Sequence, residues 1–66
     1  MNELFLSTDI YSEENIRKTC KVYREYAKIK IEKLNFYIKL TFDNCKYDED
    51  ITIKEFENYL INVENV

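Results

Sequence analysis

The sequence predicts a two-layer α+β fold in which two helices cover one face of a small three-stranded mixed sheet. Two segments place apolar residues at helical spacing, and three others alternate apolar with polar residues as strands do, in the order β-α-β-β-α. Each helix has a single apolar stripe, which favours packing both on the same side of the sheet. A chain of 66 residues has room for one core, so residues 1–66 are interpreted as one domain.

The first strand is predicted at residues 3–8, where two leucines face one side and Phe5 faces the other. The first helix follows at about 13–26, with Ser12 as its N-cap and two glutamates in its first turn. Its apolar face consists of Ile16, Cys20, Tyr23 and Ala27. Its basic residues lie largely off that face: Arg17, Lys18, Lys21 and Arg24.

A β-hairpin is predicted in the segment KIKIEKLNFYIKLTF, residues 28–42. Its core positions are expected to be Ala27, Ile29 and Ile31 on one strand and Phe36, Ile38, Leu40 and Phe42 on the other. A loop with an even number of residues, at 33–34 or 32–35, keeps both sets on one face and pairs Ile31 with Phe36. Asn35 is the residue best suited to a left-handed backbone there.

The opposite face of the hairpin carries several lysines. The predicted register places Lys28 across from Lys39, with Lys30 and Tyr37 on the same face. Like charges directly opposite each other weaken a sheet, so folding does not require this arrangement. The lysines either cover apolar sheet surface with their stems or meet an acidic partner.

The second helix is expected to start at Thr52, which forms a capping box with Glu55, while Ile51 packs on Phe56. Its buried stripe is predicted to contain Ile53, Phe56, Tyr59, Leu60 and Val63. Ile61 points away from that stripe and is a candidate contact residue.

Charge is unevenly distributed along a chain whose formal net charge is −3. Residues 1–16 carry four acids and no bases, residues 17–46 carry nine bases and three acids, and residues 47–66 carry six acids and one base. Such segregation is typical of a module that meets an oppositely charged partner. The candidate partner-binding residues are Lys28, Lys30, Tyr37, Lys39, Phe5 and Ile61.

Several function classes are disfavoured by composition. The chain has no histidine, which is the commonest general base and metal ligand, and no glycine with which to build a phosphate-binding loop. Cys20 is expected in the core and Cys45 has no identifiable activating group. We therefore expect no catalysis, no cofactor and no metal. Nucleic-acid binding is disfavoured because both acidic termini would repel phosphate.

No signal peptide is recognisable, and no apolar run approaches the length of about 18 residues needed to span a membrane. The expected location is the cytoplasm, where Cys20 and Cys45 would be free thiols.

Three stretches of the chain resemble a known family: DIYSEENIRKTCKVYREYAKIKIE (9–32), the hairpin after it, and IKEFENYLINVE (53–64). Together they resemble HxsD, the small accessory protein of His-Xaa-Ser peptide-modification systems. The family's last helix usually carries an acid after its asparagine and an arginine near its end, whereas Tyr59 follows Asn58 here and Val63 lies near the end. The resemblance implies a bacterial, cofactor-free helper that binds a precursor peptide or docks on a radical SAM maturase.

Two other interpretations of the sequence remain open. The chain could be a small acidic inhibitor, as in phage or antitoxin-like proteins, although its acids are divided between both ends. It could also be a homo-oligomeric structural protein, such as a homodimer, that buries Phe5, Tyr37 and Ile61 between copies.

Overall fold

The structure is a computed structural model, and it describes residues 2–65. Within that range the regular elements follow the order β-α-β-β-α, which confirms the predicted α+β class and element order. Their bounds are β1 Glu3–Ser7, α1 Glu13–Val22, a 3-10 turn Tyr23–Glu25, β2 Lys28–Lys33, β3 Tyr37–Asp43 and α2 Glu49–Glu64.

The three strands form one sheet in the order β1-β3-β2, and both neighbouring pairs are antiparallel. The prediction of a mixed sheet was therefore wrong. β1 and β2 do run in the same direction, as a β-α-β connection favours, but β3 inserts between them and separates the parallel pair. As a result, β1 and β2 are the two edges of the sheet.

The hairpin register differs from the predicted one by an even number of residues. Ile29 pairs with Phe42 and Ile31 with Leu40. The N–H of Leu34 donates to the carbonyl of Tyr37 at 2.8 Å, so the loop consists of residues 35–36. Because the displacement is even, the residues expected to face the core still do so, except Phe36, which lies exposed at the turn.

Burial and charge both explain why this register is adopted. It buries Phe42 completely and leaves Phe36, at the turn, 70% exposed. It also places Lys28 opposite Asp43 and Lys39 opposite Glu32, so the predicted Lys28–Lys39 pair does not form. Unlike charges across a strand pair stabilise a sheet, whereas the predicted pair would have repelled.

α1 begins after Ser12, whose hydroxyl accepts the N–H of Asn15 at 3.2 Å, as predicted for an N-cap. The helix ends at Val22, earlier than expected. The carbonyl of Tyr23 then accepts the N–H groups of both Tyr26 and Ala27, at 2.9 and 3.1 Å. These bonds close the end of the helix and turn the chain into β2.

α2 begins one turn earlier than predicted, because Asp48 and not Thr52 is its N-cap. The Asp48 carboxylate accepts the N–H of Ile51 at 3.0 Å. Thr52 is buried within the helix, where its hydroxyl donates to the carbonyl of Asp48 at 2.8 Å. A threonine can be buried at this position because that bond satisfies its hydroxyl, while aspartate is the stronger N-cap. The backbone position with positive φ in residues 2–65 is Asn44 (φ 53°), in the connector before α2, and not Asn35.

The core lies between the sheet and the two helices. Phe42 and Phe56 meet edge to face at its centre, with ring centroids 5.3 Å apart. Both Phe56 and Ile38 are core residues, as predicted. Of the stripe predicted on α2, Tyr59 is 39% exposed and Val63 is only half-buried. The buried apolar residues are Leu6, Ile16, Ala27, Ile38, Leu40, Phe42, Ile53, Phe56 and Leu60.

Candidate peptide-binding groove

Most of the sequence-predicted contact residues do share one surface. Phe5, Tyr37 and the three lysines lie on the face of the sheet that the helices leave uncovered, which we term the outer sheet face. Ile61 is 41% exposed, but it lies on α2 and therefore belongs to the helical layer. The structure brings five of the six candidate residues together and places Ile61 elsewhere.

The outer sheet face does not form a cationic surface. It carries three carboxylates beside its three lysines, those of Glu3, Glu32 and Asp43. The Lys39 ammonium lies 3.1 Å from a Glu3 carboxylate oxygen. The hydrogen bond and the charge of Glu3 raise the pKa of Lys39. Since three carboxylates balance the three lysines in number, this face carries no excess of positive charge to attract an acidic partner.

Positive charge is instead concentrated in a groove of about 530 Å³ between α1 and the edge strand β2, which we term the α1–β2 groove. Four basic side chains line it and Glu25 is its one acidic residue. Arg17 also contacts Glu13 at 3.0 Å, along the helix. The basic residues are Arg17, Lys21, Arg24 and Lys28.

The floor of the α1–β2 groove is apolar. Cys20 of α1 and Ile29 and Ile31 of β2 line it, and all three are half-buried against the core. Burial raises the pKa of the Cys20 thiol to about 11, despite the opposing charge of Arg17. At neutral pH the thiol is therefore protonated, and it contributes packing surface rather than a nucleophile.

The edge of β2 beside this groove presents backbone hydrogen-bonding groups. In an antiparallel ladder, alternate residues direct their N–H and C=O groups toward the neighbouring strand. Because Leu34 bonds to Tyr37, the groups of Lys30 and Glu32 point toward β3. Those of Ile29 and Ile31 point out of the sheet, along the groove. An extended chain lying there could continue the ladder while placing side chains on the apolar floor.

Cys45 is no better suited to catalysis than Cys20. Its pKa is raised, first by burial and then by the neighbouring carboxylates Glu49, Asp43 and Asp48. Both cysteines are free thiols, as expected. Neither carries the lowered pKa that a nucleophilic thiol needs at neutral pH.

Part of this groove can be predicted from the sequence. Helical spacing places the basic residues of α1 off its apolar face, and strand alternation places Ile29 and Ile31 on the core face. Sequence periodicity could not reveal that β2 is an edge strand, because strand order depends on long-range pairing. The spacing of Arg17, Lys21 and Arg24, at intervals of four and three, is the signal that marks one continuous basic stripe.

Comparison with protein-family models, with curated proteins and with solved structures finds no match for this chain. Among residues 2–65, no three histidine, cysteine, aspartate or glutamate side chains cluster in a way that could hold a metal ion. Neither of the two helices in that range is long and apolar enough to cross a membrane.

Proposed function

We propose that this chain is a non-catalytic binding protein that takes up an extended acidic segment of a peptide or protein partner in the α1–β2 groove. The observation that carries the proposal is the combination of the open edge of β2 with the four basic side chains of the groove, which we term the basic rim. Peptide-binding domains commonly add a strand to a sheet edge, with backbone bonds supplying affinity and side-chain pockets supplying specificity.

Each part of the groove contributes a different element of recognition. The outward N–H and C=O groups of Ile29 and Ile31 would bond the backbone of the added strand. Alternate side chains of that strand would face the apolar floor, so small aliphatic residues suit those positions. Lys21, Arg24 and Lys28 would attract carboxylates and accelerate association.

The biological setting rests on the resemblance to the HxsD family. It points to a precursor peptide or a radical SAM maturase as the partner, and to the bacterial cytoplasm as the location. The non-catalytic role is supported by the absence of histidine and by the raised pKa of both thiols.

A short fluorescent peptide that alternates glutamate with valine provides a direct test. We expect saturable binding that weakens as salt is raised, because exposed charges are screened over a Debye length of about 8 Å at physiological ionic strength. The double variant Lys21→Glu, Arg24→Glu should slow association on the order of tenfold. The matched control is Lys18→Glu, because Lys18 lies on the same helix but outside the groove and contacts Glu14 at 3.6 Å.

A second probe tests the mode of binding. The same peptide with alternate backbone nitrogens methylated cannot complete a ladder, so its affinity should fall sharply. Equal affinity of the methylated and unmethylated peptides would exclude strand addition. Equal association rates for the double variant and for Lys18→Glu would show that the basic rim does not accelerate binding.

A homodimer is the second candidate, favoured by the exposed aromatic residues at one end of the outer sheet face. Phe5 is 53% exposed and Tyr37 is 50% exposed. Pairing of two such faces would bury these two rings. It would not bury Ile61, which lies in the helical layer. Sedimentation equilibrium of Phe5→Ser against the unaltered chain would show whether this face self-associates.

A further inference from the structure

A second concavity, which we term the tyrosine cleft, lies between the end of α1 and the start of α2. It has a volume of about 560 Å³. Four of its eight lining residues are tyrosines. The ring centroids of Tyr23 and Tyr26 are 5.7 Å apart, those of Tyr23 and Tyr59 are 5.9 Å apart, and those of Tyr26 and Tyr47 are 6.1 Å apart. Sequence periodicity predicts Tyr23 and Tyr59 as core residues and predicts no role for Tyr26 or Tyr47.

One of the four rings, that of Tyr23, is anchored on the core. Tyr23 packs edge to face on Phe56 at 5.4 Å, and Phe56 packs in turn on the fully buried Phe42. Yet Tyr47 is 60% exposed and Tyr59 is 39% exposed, so their rings are accessible from outside. A rigid, accessible aromatic surface can bind a ligand with little loss of conformational entropy.

The cleft carries negative charge. Glu55 is the one charged residue that lines it. Glu55 lines the cleft together with the four tyrosines, and burial, followed by the charge of Glu55, raises the pKa of Tyr23. The first turn of α2 beside the cleft is also acidic. One ring already has a cation over its face, since the Lys46 ammonium lies 5.7 Å from the Tyr47 centroid.

From this arrangement we infer that the tyrosine cleft binds a basic side chain, of lysine or arginine, presented by a protein partner. Aromatic faces attract cations through their quadrupole, and a carboxylate at the same site supplies the complementary charge. An apolar side chain bound in the cleft would bury the Glu55 carboxylate without a partner, which would cost binding free energy. The cleft is thus chemically opposite to the α1–β2 groove, and one partner segment of single charge sign would not fill both.

The test uses N-acetyl-arginine amide and N-acetyl-leucine amide as probes, in amide-resolved NMR titrations of the full chain. We expect saturable shifts at cleft residues with the arginine probe and markedly weaker ones with the leucine probe. Tyr47→Leu should weaken arginine binding about two- to fivefold, whereas Tyr47→Phe should retain it because the ring is kept. Glu55→Gln should also weaken binding, and Glu57→Gln, on the same helix but outside the cleft, should not.

Several outcomes would overturn the inference. Equal binding of the two probes would make the cleft an apolar site, and no saturable shift would make it no site for these side chains. Concentration-dependent self-association that Glu55→Gln abolishes would identify a second copy as the occupant. Tyr26 lines both the cleft and the α1–β2 groove, so the shifts are read at Tyr47, Glu55 and Tyr59, which line the cleft and not the groove. The groove is tested separately, with an acidic probe and variants on α1.

Discussion

At the scale of single residues, the main departure from expectation concerns Lys39. Its predicted neighbour across the hairpin was Lys28, which implied that charge reversal would relieve a repulsion. In the structure Lys39 contacts Glu3 at 3.1 Å and lies opposite Glu32. The two carboxylates come from different strands, so this lysine pairs with an acid of β1 and faces an acid of β2.

This contact predicts that Lys39→Glu destabilises the fold, because it places three carboxylates in adjacent positions across the sheet. Lys30→Glu is the matched control, since Lys30 lies on the same face opposite the neutral Thr41. Thermal melts at low and high salt provide the measurement. Lys39→Glu should melt lower than Lys30→Glu, and salt should narrow the difference. A higher melting temperature for Lys39→Glu would instead favour the register with Lys28 opposite.

At the scale of elements, α2 shows how a helix start is chosen. Both Asp48 and Thr52 are acceptable N-caps by residue type, and Thr52 has the more recognisable sequence pattern. The chain uses Asp48 and buries Thr52, which extends the helix by one turn at its start. The choice depends on what the extra turn packs against, which local sequence does not contain.

The assignment of the cap predicts that Asp48→Ala lowers the free energy of unfolding by about 0.5–2 kcal/mol, because the N–H of Ile51 loses its acceptor. Asp9→Ala, at an exposed position in the β1–α1 connection, should have little effect. Chemical denaturation followed by circular dichroism measures both. Equal midpoints for the two variants would indicate that the helix starts elsewhere.

At the scale of the whole molecule, the two helices are tied together at their opposite ends. A Glu64 carboxylate oxygen accepts the N–H of Ser12 at 2.7 Å and the side-chain amide of Asn15 at 3.0 Å. The last turn of α2 is thereby joined to the N-terminus of α1, far away in sequence. These bonds, the one from Asn15 first, lower the pKa of Glu64.

Glu64 therefore links stability to pH. Because its pKa is lower in the folded chain than the ordinary value of 4.5, its stabilisation is fully present above that value and is lost as the pH falls through the folded pKa. Glu64→Gln should melt at a lower temperature than the unaltered chain at neutral pH. The two melting temperatures should converge in acid. A difference in melting temperature between the variant and the unaltered chain that stays constant from pH 7 to pH 3 would show that the Glu64 carboxylate does not stabilise the fold through these hydrogen bonds.

The strand order makes a prediction for backbone exchange. Amides of Ile29 and Ile31 face the open edge of β2, whereas those of Lys30 and Glu32 bond to β3. Hydrogen exchange should therefore alternate along β2, fast at the isoleucines and slow between them. Addition of the acidic peptide should slow the two isoleucine amides. Uniform protection along β2 without peptide would mean that this edge is already covered.

The sequence by itself determined the class of fold, the order of the elements and the face on which each side chain lies. These properties depend on local periodicity, and the alternation that placed Ile29, Ile31, Ile38 and Leu40 on one face survived even though the register was wrong. An even displacement leaves that alternation unchanged, so periodicity cannot choose among even registers.

Only the tertiary structure decided the strand order, the turn, the start of α2 and both candidate sites. Each of these depends on which distant segments meet. The observed register packs Phe42 on Phe56, leaves Phe36 exposed at the turn and pairs lysines with acids. The α1–β2 groove exists because β3 occupies the centre of the sheet and leaves β2 at its edge. The tyrosine cleft exists because the end of α1 and the start of α2 meet. Local sequence patterns do not predict that these two distant segments are in contact.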